Sequence, residues 1–356
     1  MQAQREHLNR DAGDVEVGVA DLYRENAQAR HSAPLPLPPA WLVSWERHRP
    51  TMLAECFAEM IGVFFYVFPG IGASAAFMVT SAAKETGYGS LLTIGLGYAL
   101  GIAFALIIAA PTSGGHLSPS FTIAFWLFKG FPSRKVPFYI VSQILGAFVA
   151  AVFVYGIYKQ QLDEVVAGMN LLGEAKAIYS PQGPAGLFGL FPAAGQNLGW
   201  AFFNEFIANM FLSILVFSVL DACNFFVSLA SAPFIIGLGY AVIIWGFAPN
   251  SVSLNAARDL GGRFACGAFY GRQCFNTSSG YTAIAALTTI PSSLLGAAIQ
   301  ILLLSDSARM IVNAPPSHAE QVSIINESRG FTVPSRSVTR DTFYRDPVSM
   351  KTDQLA

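Results

Sequence analysis

The chain has 356 residues, of which 53% are hydrophobic and 12% charged. Its 21 Lys+Arg and 22 Asp+Glu leave a net charge of −1, which excludes a strongly basic nucleic-acid binder. The charges are segregated: residues 1–50 and 305–356 carry 25 of the 43, and residues 51–304 only 18.

Taken in chain order, residues 1–50 lack the apolar core of a signal peptide, and the Pro34–Pro39 cluster reads as an extended linker. This head is expected to be disordered. The middle, 51–304, contains uncharged runs such as Met60–Ala83, Thr86–Phe128, Val136–Tyr158 and Gln273–Ser305. A helix crossing a bilayer needs about 20 apolar residues. The apolarity is continuous rather than alternating, which argues against a β-barrel. Six spans are predicted, at about 52–79, 90–110, 135–158, 199–220, 230–247 and 281–304. Two further apolar stretches, near 111–130 and 248–266, open on Pro or Gly signals and are too short to cross. The tail, 305–356, is charged and Ser-rich and is also expected to be disordered.

With both ends inside, 15 basic residues fall on the inner side and 6 on the outer: Lys84, Lys159, Lys176, Arg258, Arg263 and Arg272. That bias predicts cytoplasmic termini.

The middle repeats itself. Phe57-Ala58-Glu59-Met60-Ile61 parallels Phe203-Asn204-Glu205-Phe206-Ile207, and Leu117-Ser118-Pro119-Ser120 parallels Leu254-Asn255-Ala256-Ala257. Each half, about 51–158 and 199–304, has three spans, so the halves face opposite ways across the membrane. Interrupted backbone at membrane depth survives only where protein buries it or water lines it. The two broken segments are therefore candidates for lining a path.

Ser113-Gly114-Gly115-His116-Leu117-Ser118-Pro119-Ser120 resembles the first signature of the aquaporin (major intrinsic protein) family, which usually ends Asn-Pro-Ala. Leu254-Asn255-Ala256-Ala257-Arg258-Asp259 resembles the second, usually Asn-Pro-Ala-Arg. Both boxes are altered, to Ser-Pro-Ser and Asn-Ala-Ala. The long polar tails, Asp259 and the long third loop (about 159–198) resemble fungal members and the glycerol-conducting branch.

The resemblance implies an all-α membrane fold of six transmembrane helices and two re-entrant half-helices. It implies a passive channel for water and small uncharged solutes, hydrogen peroxide and glycerol among them, assembled as a homotetramer in a lipid bilayer. No catalytic group or cofactor is needed, and the chain is read as no enzyme. Residues Ser118, Pro119, Ser120, Asn255, Ala256 and Ala257 would form the pore centre. Ser118 and Asn255 would cap the two half-helices. Tyr98, Ile244 (or Ile243), Val252 (or Ser251) and Arg258 would form the selectivity filter. Glu59, Glu205 and His116 would support the loops.

Asn276-Thr277-Ser278 is a glycosylation sequon on an outer loop, and Asn326-Glu327-Ser328 is one on the inner side. The spacing of Cys266 and Cys274 permits a disulfide on the outer side. Five His and four Cys without paired spacing predict no metal site. Two other classes compete: a secondary transporter, which needs acids facing a midplane cavity, and a closed-pore structural protein.

Overall fold

The computed structural model describes residues 39–328, except 86, 251, 278, 307 and 314–318, and the side chains of 250, 279 and 319–321 are also outside the description. The described residues fall into two units, 39–50 and 51–328. In the first unit, Ala40–His48 forms a helix, α1, closed by a His48 Nδ1 to Ser44 carbonyl contact of 2.6 Å. The expected disorder of the head therefore does not reach these residues. The rest of the head, 1–38, lies outside the described residues.

Six helices in the second unit fill the predicted spans: α2 (Thr51–Ala82), α3 (Leu91–Ser113), α5 (Val136–Leu171), α6 (Leu198–Val219), α7 (Ala232–Phe247) and the run from α10 (Ser279–Leu287) through α11 (Thr289–Ile299) to a π turn at Gln300–Leu304. Five of these runs are long and apolar enough to cross a membrane by length and composition, and α7 is shorter, with 16 residues. Local chemistry fixes the starts. Ser90 and Thr93 make a reciprocal capping box ahead of α3, and Asn197 Oδ1 accepts from Gly199 and Trp200 N–H ahead of α6.

Two half-helices interrupt the pattern. Pro119–Lys129 (α4) starts on a proline whose missing N–H would be unpaired there anyway, and stops at Gly130, φ 74°. Ala256–Tyr270 (α8) starts on the Asn255 cap. Both begin later than the apolar stretches at 111–130 and 248–266, because α3 runs to Ser113 and α7 passes into a 3₁₀ turn at Ala248–Asn250.

One boundary moves substantially. The third span, expected to stop at 158, continues to Leu171. Lys159 bonds Asp163 at 2.6 Å and Gln160 bonds Glu164 at 3.1 Å, so i,i+4 pairs carry the helix onward in polar sequence. The long third loop is therefore helix first. It then becomes two short 3₁₀ turns at Ala175–Tyr179 and Pro184–Leu187.

The tail also carries structure. Asn313 N–H bonds the Ala222 carbonyl at 3.0 Å, and Asn326 exchanges two bonds with Ile311. Ala319–Ser328 forms a helix, α12. The expectation of disorder from 305 onward fails over these residues because Asn side chains satisfy the backbone of the returning segment. Residues 329–356 lie outside the described residues.

The two halves share one packing device. In each, the first and third spans meet at a glycine. A Cβ on Gly146 of α5 would run into the Met60 carbonyl oxygen of α2, and one on Gly296 of α11 would lie 2.6 Å from the Met210 carbonyl oxygen of α6. The half-helices are exchanged: α4 packs on α11 of the other half, and α8 packs on α5.

Arg263, counted above among the basic residues of the outer side, is fully buried in α8. It bonds Asp259 at 2.9 and 3.0 Å, the Cys274 carbonyl at 2.7 Å and the Leu190 carbonyl at 2.6 Å. Asp259 also accepts the Leu190 N–H at 2.9 Å. Cys266 and Cys274 are joined in a disulfide, with Cα atoms 5.9 Å apart. The end of α8, the short helix α9 (Gln273–Asn276) and the third loop are thus tied together. Replacing Arg263 with Met would leave Asp259 buried without its cation. We expect a loss of roughly 3–5 kcal/mol, read as a lower thermal midpoint in detergent. The double change Arg263→Met with Asp259→Leu should recover part of the loss; no recovery would remove the pair from the fold's support.

Candidate functional site

The site begins with two buried carboxylates. Glu59 on α2 accepts from the His116 N–H at 2.9 Å, the Leu117 N–H at 2.8 Å, the Ser113 hydroxyl at 2.6 Å and the Gln143 amide at 2.7 Å. Glu205 on α6 accepts from the Ser253 N–H at 2.6 Å, the Leu254 N–H at 3.5 Å and the Tyr281 hydroxyl at 2.9 Å. Each carboxylate fixes the loop that enters a half-helix. Leu117 and Leu254 both take left-handed backbone, φ 54° and 58°. A β-carbon disfavours that region, and the bonded N–H groups hold it there.

His116 lies in the first of these loops. Its Nδ1 is 3.3 Å from the Thr122 hydroxyl, and its ring sits among Phe125, Phe131 and Tyr139. No group of three or more His, Cys, Asp or Glu side chains able to hold a metal occurs among the described residues.

The loops bring the two helix starts together. Asn255 Oδ1 accepts from the Ala257 N–H at 2.9 Å and the Arg258 N–H at 3.4 Å, which closes the cap. Its Nδ2 donates to the Leu117 carbonyl across the repeat at 2.7 Å and keeps a second N–H. Ser118 does not do the same. Its hydroxyl makes no cap bond and pairs with the Ser120 hydroxyl at 3.0 Å. Sequence reasoning expects a Ser cap here; the neighbouring hydroxyl competes for it.

Of the six residues assigned to the centre, Ser118 and Asn255 line a cavity with Leu117, Leu254 and Tyr66. Pro119, Ser120, Ala256 and Ala257 do not line it. They are buried in the first turns of the half-helices, where small side chains let the two starts abut.

A second cavity is lined by Tyr98, Ile244, Val252 and Arg258 together with residues of the third loop. Ile244 is the α7 residue that faces it, whereas Ile243 is fully buried and outside the lining. Ser251 lies outside the described residues. Arg258 is held from three sides: Nη1 donates to the Phe188 carbonyl at 3.0 Å, Nη2 to the Leu187 carbonyl at 3.0 Å and to the Tyr98 hydroxyl at 3.0 Å, and Nε to the same hydroxyl at 3.2 Å. Four of its five N–H groups are thereby used. One, on Nη1, is left over among these bonds. A buried guanidinium without such acceptors would not offset its desolvation.

Several participants went unassigned in the sequence reading. Leu187 and Phe188 contribute carbonyls, which carry no side-chain signal. Tyr66 follows Glu59 by seven residues, and Tyr240 precedes Ile244 by four, so helical periodicity places each on the same face as an assigned residue. That spacing could have found both.

The sequence profile of the major intrinsic protein family matches residues 46–278. Aquaporin-3 of Laccaria bicolor is 41% identical over 294 residues, covering 81% of this chain and 88% of its own length. Aquaglyceroporin-2 of Rhizophagus irregularis is 34% identical over 74% of this chain and 81% of its own. The glycerol uptake facilitator protein of Pseudomonas aeruginosa is 33% identical over 60% and 74%. Among solved structures, the aquaglyceroporin from Plasmodium falciparum superposes with a TM-score of 0.62 at 25% identity, covering 71% of this chain and 97% of that one. The exchanged half-helices, the paired loop carboxylates and these likenesses agree: the chain belongs to the major intrinsic protein family and is an all-α integral membrane protein of aquaporin-like fold.

Proposed function

We propose that the chain is a passive channel for water and small uncharged solutes, including glycerol and hydrogen peroxide, that turns back ions and protons. The observation that carries this reading is the meeting of two half-helix N-termini, bridged by Asn255 Nδ2 to the Leu117 carbonyl, one turn from Arg258. Each helix start carries about half a positive charge. With the guanidinium added, the field along the path opposes cations, while neutral molecules pay no such penalty. The names of the relatives, which include aquaporins, aquaglyceroporins and a glycerol facilitator, support the same solute class.

The chemistry of the lining favours breadth over strict water selection. Ile244 offers no hydrogen bond where a histidine would narrow and polarise the gap. A coupled transporter would need an acid free to bind an ion. Glu55 is instead paired with Lys135 at 2.6 Å, and Glu59 and Glu205 are occupied by loop donors. The proposal includes residence in the cell membrane, cytoplasmic termini, homotetramers with a path in each subunit, and glycosylation at Asn276. That residue is exposed, though Ser278 of its sequon is outside the described residues. Asn326 of the other sequon is buried by its bonds to Ile311.

Orientation is tested by adding protease to sealed right-side-out vesicles. Residues 1–50 should be spared, and external cleavage of the head would reverse the assignment.

Ser118→Asn should give the first half-helix a cap amide like that of Asn255. We expect normal yield and an altered glycerol-to-water swelling ratio. A variant that does not fold would make Ser118 a packing residue instead.

Arg258→Val should widen and neutralise the second cavity. Swelling in neutral-solute gradients should persist with changed preference, and a cation or proton current should appear. Swelling and current are read on the same cells, normalised to surface protein. If both match wild type, Arg258 has no part in selection.

A further inference from the structure

The two cavities described above share one lining residue, Tyr240. Tyr66 faces the first cavity and Tyr98 the second. These three tyrosines come from three helices, α2, α3 and α7, and their rings close a triangle. The centroids are 6.3 Å apart for Tyr66–Tyr98, 6.3 Å for Tyr66–Tyr240 and 5.7 Å for Tyr98–Tyr240, which is the spacing of aromatic rings in mutual contact.

The three hydroxyls are tethered unequally. Tyr98 accepts two bonds from Arg258, and its ring lies over Gly70, where any side chain would strike it. Tyr240 donates to the Ser253 carbonyl through a single 3.3 Å bond. Tyr66, 1% exposed, has a buried hydroxyl with no hydrogen-bond partner among the described residues. A buried hydroxyl left unpaired costs stability, and here it stands at the junction of two cavities.

We propose that Tyr66, Tyr98 and Tyr240 form an aromatic gate between the two cavities, and that the Tyr66 hydroxyl is a hydrogen-bonding station for the oxygen of a passing hydroxyl compound. The inference rests on the channel reading. Tyr98 is the fixed post, clamped by Arg258. Tyr240, with one long tether, is the leaf that yields. A molecule crossing from one cavity to the other loses water partners at the rings, and Tyr66 replaces one of them. Selection at this point is by cross-section, set by Tyr240, and by possession of an oxygen able to pair with Tyr66. Apolar molecules of the same width gain nothing there.

The full chain is reconstituted in liposomes, and shrinkage is followed in water-driven and glycerol gradients, normalised to inserted protein. Tyr66→Phe keeps the ring and removes only the hydroxyl. It should fold at least as well as wild type, because an unpaired buried group has gone. It should also lower water permeability by about fivefold, the worth of one hydrogen bond. A purely structural Tyr66 would show the stability gain without the flux loss. Tyr240→Val should raise the glycerol-to-water permeability ratio several-fold, and Tyr240→Leu, which keeps more volume, should raise it less. A wild-type chain that stays closed while Tyr240→Val conducts would equally support the gate. Wild-type water flux through Tyr66→Phe, or an unchanged ratio in both Tyr240 variants, overturns the proposal and leaves the channel reading standing. If neither wild type nor Tyr240→Val speeds shrinkage in any gradient, the channel reading itself fails.

Discussion

The arrangement depends on two carboxylates capturing the backbone of two loops. A re-entrant segment presents N–H groups at a depth where no bulk solvent can satisfy them. Glu59 and Glu205 meet that need from the first span of each half, two loop N–H groups apiece. The left-handed Leu117 and Leu254, the position of each half-helix start, and the bridge from Asn255 to Leu117 all follow from loops held in this way. The surrounding donors show that the two captures are not equivalent. Glu59 accepts in addition from Ser113 and Gln143, whereas Glu205 accepts in addition from Tyr281 and holds its loop through one short bond from Ser253 at 2.6 Å and one long bond from Leu254 at 3.5 Å. The second loop, anchored by both the shortest and the longest of these four bonds, is the one that leads to Arg258.

A second layer of support comes from outside the repeat. Arg258 is oriented by carbonyls of Leu187 and Phe188, and that loop is oriented by Asp259 and Arg263 through Leu190. Adjacent charges on one helix thus divide the labour. Arg263 is neutralised by Asp259 and builds structure. Arg258 bonds only neutral acceptors and keeps its positive charge at the cavity wall. Tyr98 joins this wall to the ring cluster with Tyr66 and Tyr240, so the clamp on Arg258 also fixes one edge of that cluster.

Much of this was legible in the sequence, because membrane burial leaves a strong signature. The uncharged runs locate the six spans, and the pairing of Glu59 with Glu205 and of Ser118 with Asn255 reveals the inverted halves. Boundaries were less legible where polar helix continues beyond the bilayer: Lys159–Asp163 and Gln160–Glu164 extend α5 by intrahelical bonds that apolarity does not register. The cap at Ser118 was misread because its competitor, Ser120, is a matter of local geometry. The carbonyls that hold Arg258 were invisible for a deeper reason, since every residue has one and only the folded loop decides which are aimed. The choice between Ile243 and Ile244 turned on helix phase, which a loop of uncertain length cannot fix from sequence.

The exchange of half-helices has a consequence for how the protein is made. Helix α4 lies against α11, whose residues come more than a hundred positions later in the chain. As the chain emerges, α4 enters the bilayer region before its covering helix has been synthesised. Glu59 can engage the Leu117 loop at once, since it precedes it, but the outer flank of α4 stays open until the final span arrives. Helix α8 has no such delay, because α5 is already in place when it is synthesised. The nascent chain thus carries an unfinished first half through almost the whole of its synthesis, and the last transmembrane segment acts as the closing piece of the assembly. A chain terminated just after α8 would possess every residue assigned to the path and still lack the wall that keeps α4 in position.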